Sequence, residues 1–178
     1  TSGVSGTSAP TITGVVFSGN SAVNPIDIAE GGALFNNEGS PEITDAVFRN
    51  NMVNGDGGAI FESGSIPTIT NTVFVGNSAV NGGNGGAAVL GGATTITNVT
   101  FTENSASDGN GGAISVGGDP TIQNSILWGN TASTNDEVDN GVGATPTFEH
   151  SLIQGSGGSS SWDTTFGADG GGNIDSDP

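Results

Sequence analysis

The 178-residue sequence has no cysteine and no tyrosine, no lysine, a single arginine (Arg49) and a single histidine (His150). Without cysteine, neither a disulfide nor a thiolate metal site can form. With one permanent cation against 18 acidic residues and a net charge of −17, the chain cannot neutralise a run of phosphates, which excludes a nucleic-acid partner. The same balance opposes docking on an anionic membrane surface. Long apolar runs are also missing: no stretch approaches the ~20 residues that span a bilayer, so direct membrane insertion through a helix is not expected. The chain starts at Thr1 rather than at Met, as after removal of a signal peptide or in a piece of a larger protein.

What is abundant is glycine, 33 of 178 residues, far above the ordinary share of about 7%. No Gly-X-Y period exists, so the glycines do not signal collagen. They point to many tight turns. Between them runs a repeat. Pro10, Pro41, Pro67, Thr94, Pro120 and Pro146 each open a related segment: PTITGVVFSGN, PEITDAVFRNN, PTITNTVFVGN, TTITNVTFTEN, PTIQNSILWGN and PTFEHSLIQGS. The steps between the openings are 31, 26, 27, 26 and 26 residues. Inside the first four steps lies a second motif, Gly31-Gly32-Ala33-Leu34, Gly57-Gly58-Ala59-Ile60, Gly85-Gly86-Ala87-Ala88 and Gly111-Gly112-Ala113-Ile114. The fifth step reads Glu137-Val138-Asp139-Asn140 instead.

Pro-Thr-Ile-Thr alternates polar and apolar residues, the mark of a half-buried strand. Val15-Val16-Phe17 and its counterparts predict a second strand around a bend, and the residues after Gly-Gly a third. Three short strands per step of about 26 residues, with Gly and Asn at the corners, predict one coil of a solenoid. The expected fold is all-β: a right-handed parallel β-helix of about six coils. At a strand spacing of ~4.8 Å it would be a rod of roughly 25–30 Å. The predicted core columns are Ile12, Ile43, Ile69, Ile96, Ile122 and Phe148; Phe17, Phe48, Phe74, Phe101, Leu127 and Ile153; and Leu34, Ile60, Ala88 and Ile114. A column of Asn20, Asn51, Asn77, Asn104 and Asn130 is expected at a corner, where asparagine tolerates left-handed geometry and stacked copies bond one another. Residues 1–9 are read as an N-terminal edge or cap, 10–154 as the repeats, and 155–178 as an irregular Gly/Ser/Asp-rich segment. In that segment Trp162 and Phe166 could lie over the last coil as a lid.

The pairing of Gly-Gly-Ala-Ile/Leu with Phe-x-x-Asn (Phe17 to Asn20, Phe48 to Asn51, Phe74 to Asn77, Phe101 to Asn104) resembles the repeats of the chlamydial polymorphic outer membrane proteins. Leu127-Trp128-Gly129-Asn130 departs at its first position. Ser125 to Asn130, Ser151 to Gly155 and Gly172 to Pro178 resemble the tail of secreted bacterial β-helix proteins that carry a sorting anchor. These resemblances imply secretion, surface display and an adhesive or structural role.

Enzymes also use this fold, and each kind needs particular residues. A lyase needs a base and often calcium, but Arg49 and His150 stand alone and read as surface residues. A hydrolase needs two carboxylates about 5–10 Å apart. Asp136, Glu137 and Asp139, or Asp175 with Asp177, are near in sequence but mark no cleft. No catalytic, cofactor-binding or metal-ligating residue is assigned, and a non-enzyme is expected. Calcium is the one cofactor with any support, since Asp56 in Gly55-Asp56-Gly57-Gly58 and Asp108 in Asp108-Gly109-Asn110-Gly111-Gly112 place acids beside tight turns. Thr11, Thr13, Thr68, Thr70, Thr95 and Thr97 predict an outward Thr-x-Thr ladder, interrupted by Glu42 and Gln123, similar to the ice-binding face of some antifreeze proteins. Asn98-Val99-Thr100 fits a glycosylation sequon. The partners left open are a second copy stacked through the end coils into filaments, a host surface, or a glycan. Trp128 reads as the only aromatic outside the core columns in the regular coils.

Overall fold

In each Thr-Ile-Thr segment the isoleucine turns inward and the threonines outward, because successive side chains of a strand point to opposite faces. Stacking such segments in parallel, in register, buries the isoleucines as a continuous column. The computed structural model describes residues 8–24, 26–64 and 66–178 and shows this arrangement. A first sheet runs Thr11–Thr13, Glu42–Thr44, Thr68–Thr70, Thr95–Thr97, Thr121–Gln123, Thr147–Glu149 and Ala168–Gly171. A second runs Val16–Ser18, Val47–Arg49, Val73–Val75, Thr100–Thr102, Ile126–Trp128 and Leu152–Ile153. All named strand pairs are parallel and no α-helix is present among the described residues. The chain is a parallel β-solenoid with about 26 residues per coil.

Two expectations need correcting. Each coil has at least four strands, not three, and the first two coils pair a fifth, Ala29–Glu30 with Gly55–Asp56. The residues just after the ladder asparagine pair as well, forming a third sheet from Ser21–Ala22, Met52–Val53, Ser78–Ala79, Ser105–Asn110 and Thr131–Thr134. The strand after Gly-Gly builds the fourth sheet, from Leu34–Asn37, Ile60–Ser63, Ala88–Leu90, Ile114–Val116 and Val138–Asn140. Three of the third sheet's five strands, Ser21–Ala22, Met52–Val53 and Ser78–Ala79, are only two residues long, too short to show a period. Coil number is the other correction. The six repeats give six rungs in the second sheet, but the third and fourth have five, so about five coils close. After Ile153 the chain leaves the helical path. Its 3-10 turn (Thr164–Phe166) sets Trp162 and Phe166 over the core, with Trp162 5.8 Å from the Phe148 ring and 6.1 Å from Phe166. Residues 1–7, most of the expected N-terminal cap, lie outside the described residues.

The core follows the predicted columns. Phe17, Phe48, Phe74 and Phe101 stack face over face with centroids 4.6, 4.8 and 4.8 Å apart, the strand spacing itself. Ile43, Ile69, Ile96 and Ile122 are fully buried, each contributing ~1.5–3 kcal/mol by leaving water.

The Gly-Gly motif has a steric cause. There the fourth sheet's lead-in passes against the third sheet, and the coil is pinched until backbones touch. A Cβ on Gly58 would lie 1.9 Å from the Gly86 carbonyl oxygen and 2.7 Å from the Ser78 nitrogen. The preceding Gly57 has φ +73°.

Candidate functional site

The asparagines form the most ordered polar feature of the molecule. In every rung the backbone N–H and Nδ2 of one asparagine both donate to Oδ1 of the next. The distances are 3.0 and 2.9 Å for Asn20 to Asn51, 3.1 and 2.9 Å for Asn51 to Asn77, 3.0 and 2.9 Å for Asn77 to Asn104, and 2.9 and 2.9 Å for Asn104 to Asn130. Nδ2 also donates back to the phenylalanine carbonyl of the preceding coil, as from Asn77 to Phe48 at 2.9 Å. The amides therefore all point the same way and polarise one another. The expected left-handed geometry belongs to the residue before each asparagine: Gly19, Asn50, Gly76, Glu103 and Gly129 have φ between +53° and +72°. That turn swings the asparagine inward, where it serves as a buried strut rather than a ligand.

Glu137 ends the ladder. Its carboxylate accepts from Asn130 Nδ2 at 2.6 Å and from Asn130 N–H at 3.3 Å, filling the place of the missing sixth asparagine. Only 2% exposed, it is pushed up to about 7 by burial, with the Asn130 bonds pulling the other way and Asp136 adding to the rise. Sequence placed it with Asp136 and Asp139 as a candidate carboxylate set, but in the structure each of the three is engaged by its own partners. Asp136 accepts from the Ala132 N–H at 2.8 Å and Asp139 accepts from Ser115 Oγ and Asn135 Nδ2.

A pH dependence follows. The unfolded carboxyl titrates near 4.5 and the folded one near 7, so the native state binds the extra proton between these values. Stability from this group is present below about pH 4.5 and is lost as pH rises through 7, a decline of about 3 kcal/mol. Glu137→Gln keeps an acceptor for Asn130 and removes the charge. It should therefore raise the urea-unfolding free energy at pH 8 by on the order of 2–3 kcal/mol and leave it nearly unchanged at pH 4.5. Equal increments at both values would contradict this.

The other candidates are scattered. Arg49 is exposed and donates from Nε to Ser18 Oγ at 3.0 Å. His150 sits exposed at a left-handed corner, φ +49°. Asp56 is taken by Asn84, whose N–H donates to Oδ1 at 2.7 Å, and Asp108 is exposed beside Ser107. Asp175 clamps the tail by accepting from the Gly155 and Gly157 N–H groups at 3.1 and 2.9 Å. Among the described residues no three acidic or histidine side chains converge as metal ligands, and no cavity opens.

What the fold offers outward are flat ladders. On the first sheet Thr11, Thr68, Thr95, Thr121 and Thr147 share one register column with Glu42. Thr13, Thr44, Thr70 and Thr97 share the other with Gln123 and Glu149. On the second sheet Val16, Val47, Val73, Thr100, Ile126 and Leu152 form one outward column, and Ser18, Arg49, Val75, Thr102 and Trp128 the other. None of these second-sheet positions is acidic. Trp128 is not the sole outward aromatic: Phe35 and Phe61 project from the fourth sheet, stacked 5.7 Å apart with rings parallel to 1°. The sequence column of Leu34 and Ile60 already implied them, since inward residues at those positions turn Phe35 and Phe61 to the outer face.

The geometry defines a repeat solenoid whose Phe-x-x-Asn corner and Gly-Gly pinch recur from coil to coil. The Chlamydia polymorphic membrane protein repeat matches this chain over residues 45–61 and 98–117, segments that each run from the corner through the ladder asparagine to the pinch. The chain is thus similar to polymorphic membrane protein β-helix repeats over those two stretches. No curated protein and no solved structure matches it.

Proposed function

We propose that this chain is a cell-surface, extracellular β-helix module that acts by contact, adhering through an outward sheet face rather than by catalysis. The carrying observation is the second sheet's outer face, where eleven described positions are free of acid in a chain of net charge −17. With no acid on this strip, a neutral surface such as a glycan can approach it without meeting a carboxylate. The similarity to polymorphic membrane protein repeats supports surface exposure. On this reading the purified chain binds a glycan array or cell surface, and both Val73→Glu and Trp128→Ala weaken binding by about tenfold or more. Thr97→Gln, on the first sheet, leaves it unchanged. No retention on any glycan or cell, or binding by Val73→Glu and Trp128→Ala as tight as that of the parent, would refute the adhesive reading.

A second reading rests on the first sheet, where nine of twelve outward register positions are threonine. A regular lattice of hydroxyls and methyls suits ordered water. If it binds ice, the chain facets growing ice crystals at micromolar concentration and Thr95→Glu abolishes the faceting; round crystals would remove this reading.

A further inference from the structure

The chain holds five Asn-Gly pairs: Asn54-Gly55, Asn81-Gly82, Asn84-Gly85, Asn110-Gly111 and Asn140-Gly141. Such a pair can react with itself. The glycine backbone nitrogen attacks the amide carbon of the asparagine side chain, and glycine has no Cβ to hinder the approach. A hydrogen bond on either group opposes the reaction, because it must be broken first. Four of the pairs are tied into the coils in this way. The Gly85, Gly111 and Gly141 N–H groups donate to the Asn110, Thr134 and Val116 carbonyls at 2.9, 3.3 and 2.8 Å. Their asparagines are held too: Asn84 Oδ1 accepts from the Asn110 N–H at 3.0 Å, Asn110 Oδ1 accepts from Thr134 Oγ1, and Asn140 Nδ2 donates to the Thr165 carbonyl at 2.6 Å. Asn54 Oδ1 accepts from the Asn24 N–H at 3.0 Å and its Nδ2 donates to the Asn24 carbonyl at 2.7 Å, while Gly55 is paired with Ala29.

Asn81-Gly82 differs. The run from Asn77 to Gly85 is one residue longer than its counterpart from Asn104 to Gly111. The extra length forms a tight turn, closed by the Gly83 N–H donating to the Val80 carbonyl at 3.3 Å. Asn81 and Gly82 are its central residues, with φ of +59° and +82°, the sign that a two-residue I′ turn demands at both places. Both are exposed. Among the described residues neither the Asn81 side chain nor the Gly82 N–H makes a hydrogen bond. The space around the attacking residue is open as well, since a Cβ on Gly82 would meet nothing within 4 Å. Attacking nitrogen and attacked amide are therefore both free in this pair alone.

We propose that Asn81-Gly82 is a self-modifying site, at which the folded chain converts Asn81 to aspartate and isoaspartate with water as the co-reactant. The Gly82 nitrogen bonds to Asn81 Cγ, the Cγ–Nδ2 bond breaks, and Nδ2 leaves as ammonia with the proton given up by the Gly82 nitrogen. A cyclic imide remains. Water then opens it at one of its two carbonyl carbons. Opening at Cγ gives aspartate. Opening at the Asn81 main-chain carbonyl gives isoaspartate, through which the backbone runs by way of Cβ. No electrons change hands. Either product puts a carboxylate where the turn was neutral and adds one negative charge to a chain already at −17. The Gly82 and Gly83 carbonyls lie against Gly109, the neighbour of exposed Asp108. This edge of the solenoid thus grows more acidic with the time the molecule spends in water, while the ladder and core asparagines stay intact.

The test keeps the full chain at pH 8 in oxygen-18 water, folded and, in parallel, unfolded in guanidinium chloride, and follows its peptides by mass spectrometry. Each conversion leaves one labelled oxygen in the new carboxyl group. In the folded chain Asn81 is expected to take up label at least about 100-fold faster than Asn54, Asn84, Asn110 or Asn140, which react only after local opening. The product should separate into two species of equal mass, the aspartate and isoaspartate forms. In the unfolded chain the five rates should converge, because the contacts that distinguish the pairs are gone. Asn81→Gln keeps the amide on a longer side chain and should abolish the fast uptake. Even labelling of the five pairs in the folded chain overturns the proposal. So does an Asn81 that stays unlabelled when folded while the unfolded chain reacts, a single product without isoaspartate, or uptake in Asn81→Gln as fast as in the parent.

Discussion

Gly58→Ala is expected to cost at least about 3 kcal/mol, or to prevent folding outright. The added methyl would sit between two backbones, 1.9 Å from the Gly86 oxygen on the next coil and 2.7 Å from the Ser78 nitrogen across the pinch. Neither neighbour is a side chain that can rotate aside, so two coils must separate and the strand pairing above and below the pinch is lost with them. Gly82→Ala provides the contrast. Its φ is +82°, but a Cβ there meets nothing within 4 Å, so only the left-handed backbone is penalised, by about 1–2 kcal/mol. Equilibrium urea unfolding of both variants separates the two causes. Similar losses would mean that backbone conformation, not coil contact, explains the Gly-Gly motif.

The second large effect lies in the ladder. Asn77→Ala removes the acceptor of the Asn51 N–H and Nδ2, and the donor to Phe48 O and Asn104 Oδ1. All these groups are buried, and each orphaned one costs ~1–3 kcal/mol. A total loss of about 3–5 kcal/mol is expected, a large part of a typical stability of ~5–15 kcal/mol. Asn20→Ala, at the exposed end, removes only the Nδ2 bond to Asn51 Oδ1, which keeps the backbone N–H of residue 20, and should cost under about 1 kcal/mol. Chemical denaturation of the pair reads the difference directly; equal costs at both positions would mean that the ladder is not cooperative along the rod.

How far these features were legible depended on whether a residue's neighbours recur in sequence or only in space. Ile69 and Phe74 could be placed in columns because parallel in-register stacking turns a sequence repeat into a spatial contact, so alignment of the repeats amounts to a contact list. The corner asparagines were visible for the same reason, but not the exchange of roles with the preceding residue. Asn50 and Asn51 are adjacent and chemically identical, and only the φ of +53° at Asn50 tells which one turns and which one is buried. The third sheet was missed because Ser78-Ala79 has neither length nor apolar contrast. Glu137 was read as a solvated loop acid, since nothing in Asn135-Asp136-Glu137 shows that its carboxylate folds back seven residues to Asn130. The outward faces were half seen. Thr-x-Thr alternation displays itself, whereas Val73-Phe74-Val75 is apolar on both faces of the sheet, and such a run does not announce that one face remains in water.

The same distinction explains why fold outran function. Coil geometry is imposed by short-range sterics repeated five times. A contact surface is a set of side chains on separate rungs, whose chemistry becomes visible only after the register is known. The acid-free strip of the second sheet emerges in this way, from Val16, Val47, Val73 and Ile126 brought side by side out of four separate repeats.

The measurement that bears most directly on this account is side-chain amide exchange by NMR on uniformly nitrogen-15-labelled protein. Four buried Nδ2 groups, on Asn51, Asn77, Asn104 and Asn130, should exchange orders of magnitude more slowly than the exposed amides of Asn50 and Asn81, with protection rising toward the middle of the rod. Exchange of all asparagine side chains at one free rate would mean that no internal ladder exists, and with it would fall the parallel register on which the columns and the outward faces depend.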